Sequence, residues 1–196
     1  MGDLDELAAD VQTSGRTLRR AAARGTLRAR RVSARKVVVP VGERLYVRRH
    51  WPLLATLIQT LRTQPNVRLA ALFGSAARGE QSSGSDLDIA VSFRRDDHQA
   101  RADLAELLER ASGRSVQLVS LDQAEEAPLL LADLLHDGRV LVDRDGEWRR
   151  LKRSEPTIVR RAREQDAQLE TAAWEAPAAL ERIRRRGTGR FAAGAA

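Results

Sequence analysis

The 196-residue chain is basic, with 34 Lys and Arg against 27 Asp and Glu, and it contains no cysteine. The lack of cysteine excludes disulfides and thiolate metal sites, and no stretch approaches the ~20 consecutive apolar residues that a membrane span needs. The acidic start of the chain is also unlike a signal peptide. These features predict a cytoplasmic protein that does not associate with membranes.

The charge is unevenly distributed along the chain. Residues 1–50 carry 12 basic and 5 acidic side chains, residues 51–144 carry 10 and 14, and residues 145–196 carry 12 and 8. An acidic middle between two basic ends indicates more than one functional part. The first basic part is a candidate for contacting nucleic acid.

The N-terminal segment is predicted to form two helices and a short hairpin. Asp3 and Glu6 form a capping box for the first helix. A Thr-Ser-Gly turn supplies a cap for the second helix, which Gly25 ends. Two short strands follow, at Leu27–Val32 and Lys36–Val39. This is the outline of a small winged helix-turn-helix, a module that commonly binds DNA as a dimer.

The second of these helices and the hairpin carry most of the basic side chains of the segment. Arginines in such positions neutralise DNA phosphates, and residues near the start of the second helix are best placed to reach base edges. The alternative is that they are solvated arginines in an arginine-rich protein. The predicted DNA contacts are Arg16, Thr17, Arg19, Arg20, Arg24, Arg30 and Arg31.

The central segment alternates helices and strands. Its first helix is predicted to begin at Pro52, which suits a first helical turn, and to end at Arg62. From Trp148 onward the chain has helical propensity, and the stretch from Gly187 to the alanine-rich end is predicted to be disordered. The remaining predicted elements are strands at Val67–Phe73, Leu87–Phe93, Ser115–Val119 and Arg139–Asp143, and helices at Gln99–Ala111 and Leu129–His136.

Two short motifs in the central segment carry the chemistry. Gly74 follows a predicted strand and lets the backbone approach a phosphate closely, while Ser75 adds a hydroxyl donor and Arg78 follows within reach. Asp86 and Asp88 are two residues apart on the next strand, so both point to one face. Paired carboxylates suit Mg²⁺ held together with substrate phosphates. Each piece alone is typical of a turn or a solvated surface, but together they predict a nucleoside triphosphate site.

These residues resemble the minimal nucleotidyltransferase family, the small relatives of DNA polymerase beta and kanamycin nucleotidyltransferase. The resemblance covers about residues 52–145. It implies an α/β fold with a mixed sheet flanked by helices, and transfer of a nucleoside monophosphate from an NTP, expected to be ATP, with Mg²⁺. The implied catalytic and metal-binding residues are Asp86 and Asp88, and the implied nucleotide-binding residues are Gly74, Ser75 and Arg78.

The resemblance also implies a biological setting. Many bacterial proteins of this kind resemble antitoxins that add AMP to a helical partner nuclease of the HEPN type, and others resemble toxins that modify tRNA. The expected partners are therefore NTP, DNA, and a cognate toxin protein or tRNA, and a homodimer is one expected assembly.

The chain is predicted to contain three parts. They are a helix-turn-helix in residues 1–50, a nucleotidyltransferase domain in residues 51–145 and a charged helical extension in residues 146–196.

One position departs from the family pattern. The family usually has a third carboxylate on a later strand, where this chain has Gln117. Glutamine can form hydrogen bonds, but it can be neither a general base nor an anionic metal ligand. Asp122 is a candidate substitute, although it is predicted to lie in a loop. The main expectation is a DNA-binding nucleotidyltransferase that acts as an antitoxin. The alternative is a catalytically impaired regulator that only binds a nucleotide or a partner.

Overall fold

A computed structural model describes residues 3–33, 37–80 and 85–188 and, within the last helix, the side chains up to residue 171 and that of Trp174. The elements run in the order α1 (Asp3–Asp10), α2 (Gly15–Arg24), β1 (Arg30–Arg31), β2 (Val37–Val38), α3 (Val41–Arg62), β3 (Val67–Phe73), α4 (Gly74–Arg78), β4 (Leu87–Phe93), α5 (His98–Ser112), β5 (Val116–Ser120), α6 (Leu121–Glu126), α7 (Pro128–Asp137), β6 (Arg139–Asp143) and α8 (Glu147–Thr188).

The central sheet is mixed, as predicted, and has the strand order β5-β4-β3-β6. β3 is antiparallel to both β4 and β6, and β4 is parallel to β5. Alternate side chains of β3 enter different cores, because successive residues of a strand point to opposite faces. Leu72 packs in the core formed with α3 and α5, whereas Leu69 and Phe73 pack in the core formed with α7 and α8.

The two N-terminal helices pack against the same core as α3. Ser14 caps α2 by accepting a hydrogen bond from the backbone N–H of Thr17, and Gly25 ends the helix with a φ of +97°. Leu7 and Leu18 are fully buried in the core that also holds α3. The predicted hairpin is present as the antiparallel pair β1 and β2. Its strands are shorter than predicted, and residues 34–36 lie outside the described residues.

The prediction that a helix begins at Pro52 is wrong. α3 begins at Val41 and contains Pro52 in its interior, so the predicted division between residues 50 and 51 falls within one continuous helix. Proline is costly there because it lacks an N–H for the helical hydrogen bond. Burial of Val47 and Trp51 on the core side continues the apolar face upstream of the proline. Tertiary packing therefore overrides the local signal.

Two further elements differ from the prediction. Residues 121–126 form α6, which begins with a capping box at Ser120, so Asp122 lies in the first turn of a helix and not in a loop. α8 begins near the predicted position and includes Gly187 and Thr188, which were predicted to be disordered. Residues 189–196 lie outside the described residues. In the described part of the chain no helix is long and apolar enough to cross a membrane.

A buried ion pair joins the N-terminal half of the chain to the sheet. The guanidinium of Arg139, at the start of β6, is 1% exposed and donates to both carboxylate oxygens of Glu43 on α3, at 2.6 and 3.0 Å. It also donates to the carbonyls of Ala77 at 2.6 Å and Thr26 at 3.3 Å. Its carbon centre lies 3.4 Å from the ring centroid of Tyr46. Arg139 therefore connects α3, α4, β6 and the segment after α2.

We predict that Glu43→Gln destabilises the protein by about 3–5 kcal/mol, because it leaves the charge of Arg139 buried without a counter-charge. Chemical denaturation would measure the change in the free energy of unfolding. Asp5→Asn is the control, since it removes the partly exposed pair between Asp5 and Arg19 and should cost at most about 1 kcal/mol. Equal losses in the two variants would contradict the role given to Arg139.

Candidate functional site

The two halves of the predicted motif meet at Gly74. β3 ends at Phe73, whose register partner on β4 is Asp88, and α4 begins at the next residue. Gly74 has a φ of +68°, and a Cβ atom added there would lie 2.6 Å from Oδ2 of Asp88. Only glycine combines this backbone conformation with so close an approach of the carboxylate. The glycine turn and the aspartate pair are therefore one site.

The two aspartates form a pair of like charges. Asp86 immediately precedes β4 and is exposed, while Asp88 lies on β4 and is partly buried. Burial, followed by the negative charge of Asp86, raises the pKa of Asp88. A bound cation would offset both effects. Within the described residues, no group of three or more Asp, Glu, His or Cys side chains is arranged to hold a metal ion, so two carboxylates are available here.

Gln117 lies beside this pair. In the parallel pairing of β4 and β5, the register partner of Asp88 is Gln117, which is exposed. The side chain at the position where a third carboxylate is expected is therefore neutral. Asp122 lies in the first turn of α6, beyond the end of β5, and is not paired in register with either aspartate. The raised pKa of Asp88 is accounted for by burial and by the charge of Asp86.

The other predicted nucleotide ligands lie on the short helix α4. Ser75 follows Gly74 and is partly exposed. Arg78 ends the helix and is engaged by two carboxylates: its Nε donates to Glu80 at 2.7 Å, and its Nη1 donates to Asp137 at 2.9 Å. Its Nη2 is engaged by neither carboxylate and remains a donor, so Arg78 can still reach a phosphate, although the two carboxylates partly neutralise its charge.

Residues that the sequence did not single out hold α4 in place. The hydroxyl of Tyr46 donates to the carbonyl of Ala76 at 3.1 Å, and Arg139 donates to the carbonyl of Ala77. Burial raises the pKa of Tyr46 to about 12, so it remains a donor at neutral pH. In the sequence, Arg139 could have been identified as a buried charge because it begins an otherwise apolar strand. Its partner, Glu43, is too distant in sequence to be paired by pattern.

The predicted DNA contacts are divided by the structure into free and engaged side chains. Arg19 forms an ion pair with Asp5 at 2.7 Å. Arg24 is partly buried, and its Nη1 donates to the carbonyl of Leu141 at 3.0 Å. Thr17 is exposed, but its hydroxyl forms a hydrogen bond with that of Ser14 at 2.8 Å. The side chains of the others are exposed and, within the described residues, unengaged, and they are Arg16, Arg20, Arg30 and Arg31.

Comparison with known proteins identifies the central part of the chain. Residues 55–147 match the polymerase beta nucleotidyltransferase family. This segment of the chain has the nucleotidyltransferase fold. This finding confirms the resemblance on which the prediction of the fold was based. The matched segment includes the glycine turn, both aspartates and Gln117.

Three relatives of the nucleotidyltransferase domain are informative. A Methanocaldococcus jannaschii protein, assigned as a protein adenylyltransferase, is 40% identical over 63 residues, which are 31% of this chain and 63% of that protein. A crystal structure of a toxin–antitoxin with AMP-PNP is 26% identical, with a TM-score of 0.50 over 63% of this chain and 97% of that chain. A MntA–HpeT toxin–antitoxin structure with two Asp-to-Glu replacements, two positions apart, is 25% identical, with a TM-score of 0.50 over 63% of this chain and 97% of that chain. The chain is thus similar to nucleotidyltransferase antitoxins.

We predict that Gly74→Ala abolishes Mg²⁺-dependent ATP binding, because the new methyl group would displace the carboxylate of Asp88. Gly146→Ala is the matched control: Gly146 has a similar φ of +71°, and a Cβ added there meets no atom within 4 Å. Both variants should lose about 1–2 kcal/mol of stability from backbone strain. Equilibrium dialysis measures the binding of ATP, and thermal melting measures the loss of stability, so together they separate the two effects. Wild-type ATP binding by Gly74→Ala would refute the role assigned to this contact.

Proposed function

We propose that this chain is an antitoxin that binds an NTP, preferably ATP, with Mg²⁺ and transfers its nucleoside monophosphate to a hydroxyl group of a partner toxin or of tRNA. The bond between the α- and β-phosphates breaks, and pyrophosphate leaves. One observation carries the proposal: the glycine turn lies against the carboxylate of Asp88, which is paired with Asp86. A similar chain belongs to a toxin–antitoxin that was crystallised with AMP-PNP, which supports ATP as the nucleotide.

The donor set fits a hard divalent cation. Asp86 and Asp88 supply oxygen ligands, and the raised pKa of Asp88 shows that the pair is electrostatically unfavourable without a counter-charge. Mg²⁺ commonly takes one or two carboxylates and completes its shell with water and substrate phosphates. When bound, it would neutralise charge on the phosphates and orient them for in-line displacement. Asp86 and Asp88 are the residues that would hold it.

The other residues of the site act on the nucleotide. The backbone at Gly74 gives a phosphate room to approach, and the hydroxyl of Ser75 is a donor beside it. Arg78 can donate from Nη2, which neither Glu80 nor Asp137 engages. Gln117 cannot accept the proton of the attacking hydroxyl group. We therefore propose that the acceptor is deprotonated by a carboxylate of the partner or by solvent, and that transfer by this chain alone is slow.

A second function is favoured by Gln117 specifically. The same site can bind a nucleotide without transferring it, and the chain would then be a regulator whose nucleotidyltransferase domain senses the nucleotide or holds a toxin. The two functions make different predictions for a single substitution, because a restored carboxylate can accelerate transfer but is not needed for binding.

We predict that Gln117→Asp increases transfer by roughly 10²-fold, the usual lower contribution of a positioned general base. The purified protein is incubated with Mg²⁺, α-labelled ATP, the product of the neighbouring gene and bulk tRNA. Asp86→Asn and Asp88→Asn should abolish labelling of the acceptor, and Gln117→Asn is the matched neutral control. Retained ATP binding with no label on any acceptor, even in Gln117→Asp, would exclude transfer and leave the regulator.

The N-terminal helices are proposed to bind DNA. Support comes from the exposed arginines of α2 and β1 and from the excess of basic residues in this segment. We predict that Arg16→Ala combined with Arg20→Ala weakens binding to the promoter of the gene by at least tenfold, since each phosphate contact contributes through counterion release. Arg110→Ala, an exposed arginine on α5, is the control. A mobility shift in moderate salt that is unchanged by the double substitution would contradict the proposal.

A further inference from the structure

A cleft lies between α2 and α3. Its volume is about 220 Å³. Its apolar floor includes Trp51, which is 5% exposed, and Ile58. The polar side chains that line it are Thr13, Thr17, Arg20, Arg24, Gln59 and Arg62. Neither Gly74 nor the two aspartates contribute to it, so the cleft is distinct from the nucleotide site.

Three arginines converge on this cleft without a carboxylate among the described residues that line it. Arg20 and Arg62 are exposed, and their guanidinium groups form no hydrogen bond or ion pair within the described parts of the chain. Arg24 is held by the carbonyl of Leu141. Burial, then the charges of Arg62 and Arg20, lower the pKa of Arg24, and the charge of Asp143 raises it. The cleft is therefore a concentration of positive charge that an anion would relieve.

We propose that the cleft between α2 and α3 binds the phosphate or diphosphate group of a small molecule through Arg20, Arg24 and Arg62. Guanidinium groups are planar donors that match phosphate oxygens in pairs. Thr17 and Gln59 add neutral hydrogen-bonding groups, and the apolar floor accommodates the non-phosphate part of the ligand. Concave sites with an apolar floor and a few convergent polar groups are typical of small-molecule binding.

The shape of the cleft favours a small molecule over the backbone of a DNA duplex. A duplex contacts protruding side chains such as Arg16, which is exposed and does not line the cleft. Arg24 is partly buried, and Arg62 belongs to a different helix from the proposed DNA contacts. A ligand in the cleft would bridge α2 to α3 and occupy Arg20 and Arg24. It would thereby compete with DNA for the exposed side chain of Arg20, a consequence that rests on the DNA binding proposed above.

Isothermal titration calorimetry of the full chain with pyrophosphate, at fixed ionic strength, tests the cleft. EDTA in the buffer removes divalent cations and so prevents metal-dependent binding at the nucleotide site. We expect saturable binding that Arg62→Ala and Arg20→Ala each weaken about tenfold, the loss of one charge-assisted hydrogen bond. Arg16→Ala, on the same helix but outside the cleft, is the matched control and should change the affinity less than twofold. Gln59→Glu, which places a negative charge in the cleft, should abolish binding while circular dichroism and the melting temperature stay near wild type.

Several results would overturn the proposal. Absence of saturable binding at millimolar pyrophosphate would do so, as would an equal loss in Arg16→Ala and Arg62→Ala, which would indicate diffuse charge. Loss of pyrophosphate binding in Asp88→Asn would place the anion at the nucleotide site. DNA binding that Arg62→Ala weakens, in a protein that does not bind pyrophosphate, would assign the cleft to the nucleic acid backbone.

Discussion

The ion pair between Arg139 and Glu43 is the interaction on which the arrangement of the chain depends. Removing two charges from water is costly, and the cost is offset only where their hydrogen-bonding groups are satisfied. Arg139 meets this condition with both oxygens of Glu43 and the carbonyls of Ala77 and Thr26. One oxygen of Glu43 also accepts the backbone N–H of Arg28. The pair therefore fixes α3, the helix after the glycine turn and the N-terminal segment against one strand.

In the proposed nucleotide site, the fold requires the glycine at position 74 but does not require a particular residue at position 117. Gly74 is required, because its conformation and its contact with Asp88 leave no room for a side chain. Position 117 is free to vary, because its side chain is exposed and strand pairing uses only its backbone. A carboxylate can consequently be lost from β5 without loss of the fold. The geometry around Gly74 can thus persist as a binding site whether or not transfer is retained.

Much of the fold could be predicted from sequence because its strands are short apolar runs bounded by turns. β3, β4 and β6 occupy the predicted residues, and Gly25 and Gly113 end the preceding helices as predicted. The start of α3 could not be predicted, since the buried face that overrides Pro52 is created by packing. The long-range ion pair between Arg78 and Asp137 was equally hidden, so the sequence predicted Arg78 as a phosphate ligand without indicating that Asp137, together with the neighbouring Glu80, engages it.

α3 contributes residues both to the proposed nucleotide site and to the basic cleft between α2 and α3. Its N-terminal half supplies Tyr46, which holds the helix after the glycine turn, and its C-terminal half supplies Ile58 and Arg62, which line the basic cleft. Contact with both sites does not by itself couple them, because coupling requires an element with two alternative positions. Displacing α3 would break the buried hydrogen bonds of Glu43 and Arg139, which are costly to leave unsatisfied. The structure therefore favours a fixed α3. A ligand in the cleft would then act through α2 and its proposed DNA contacts, and not through the affinity of the proposed nucleotide site.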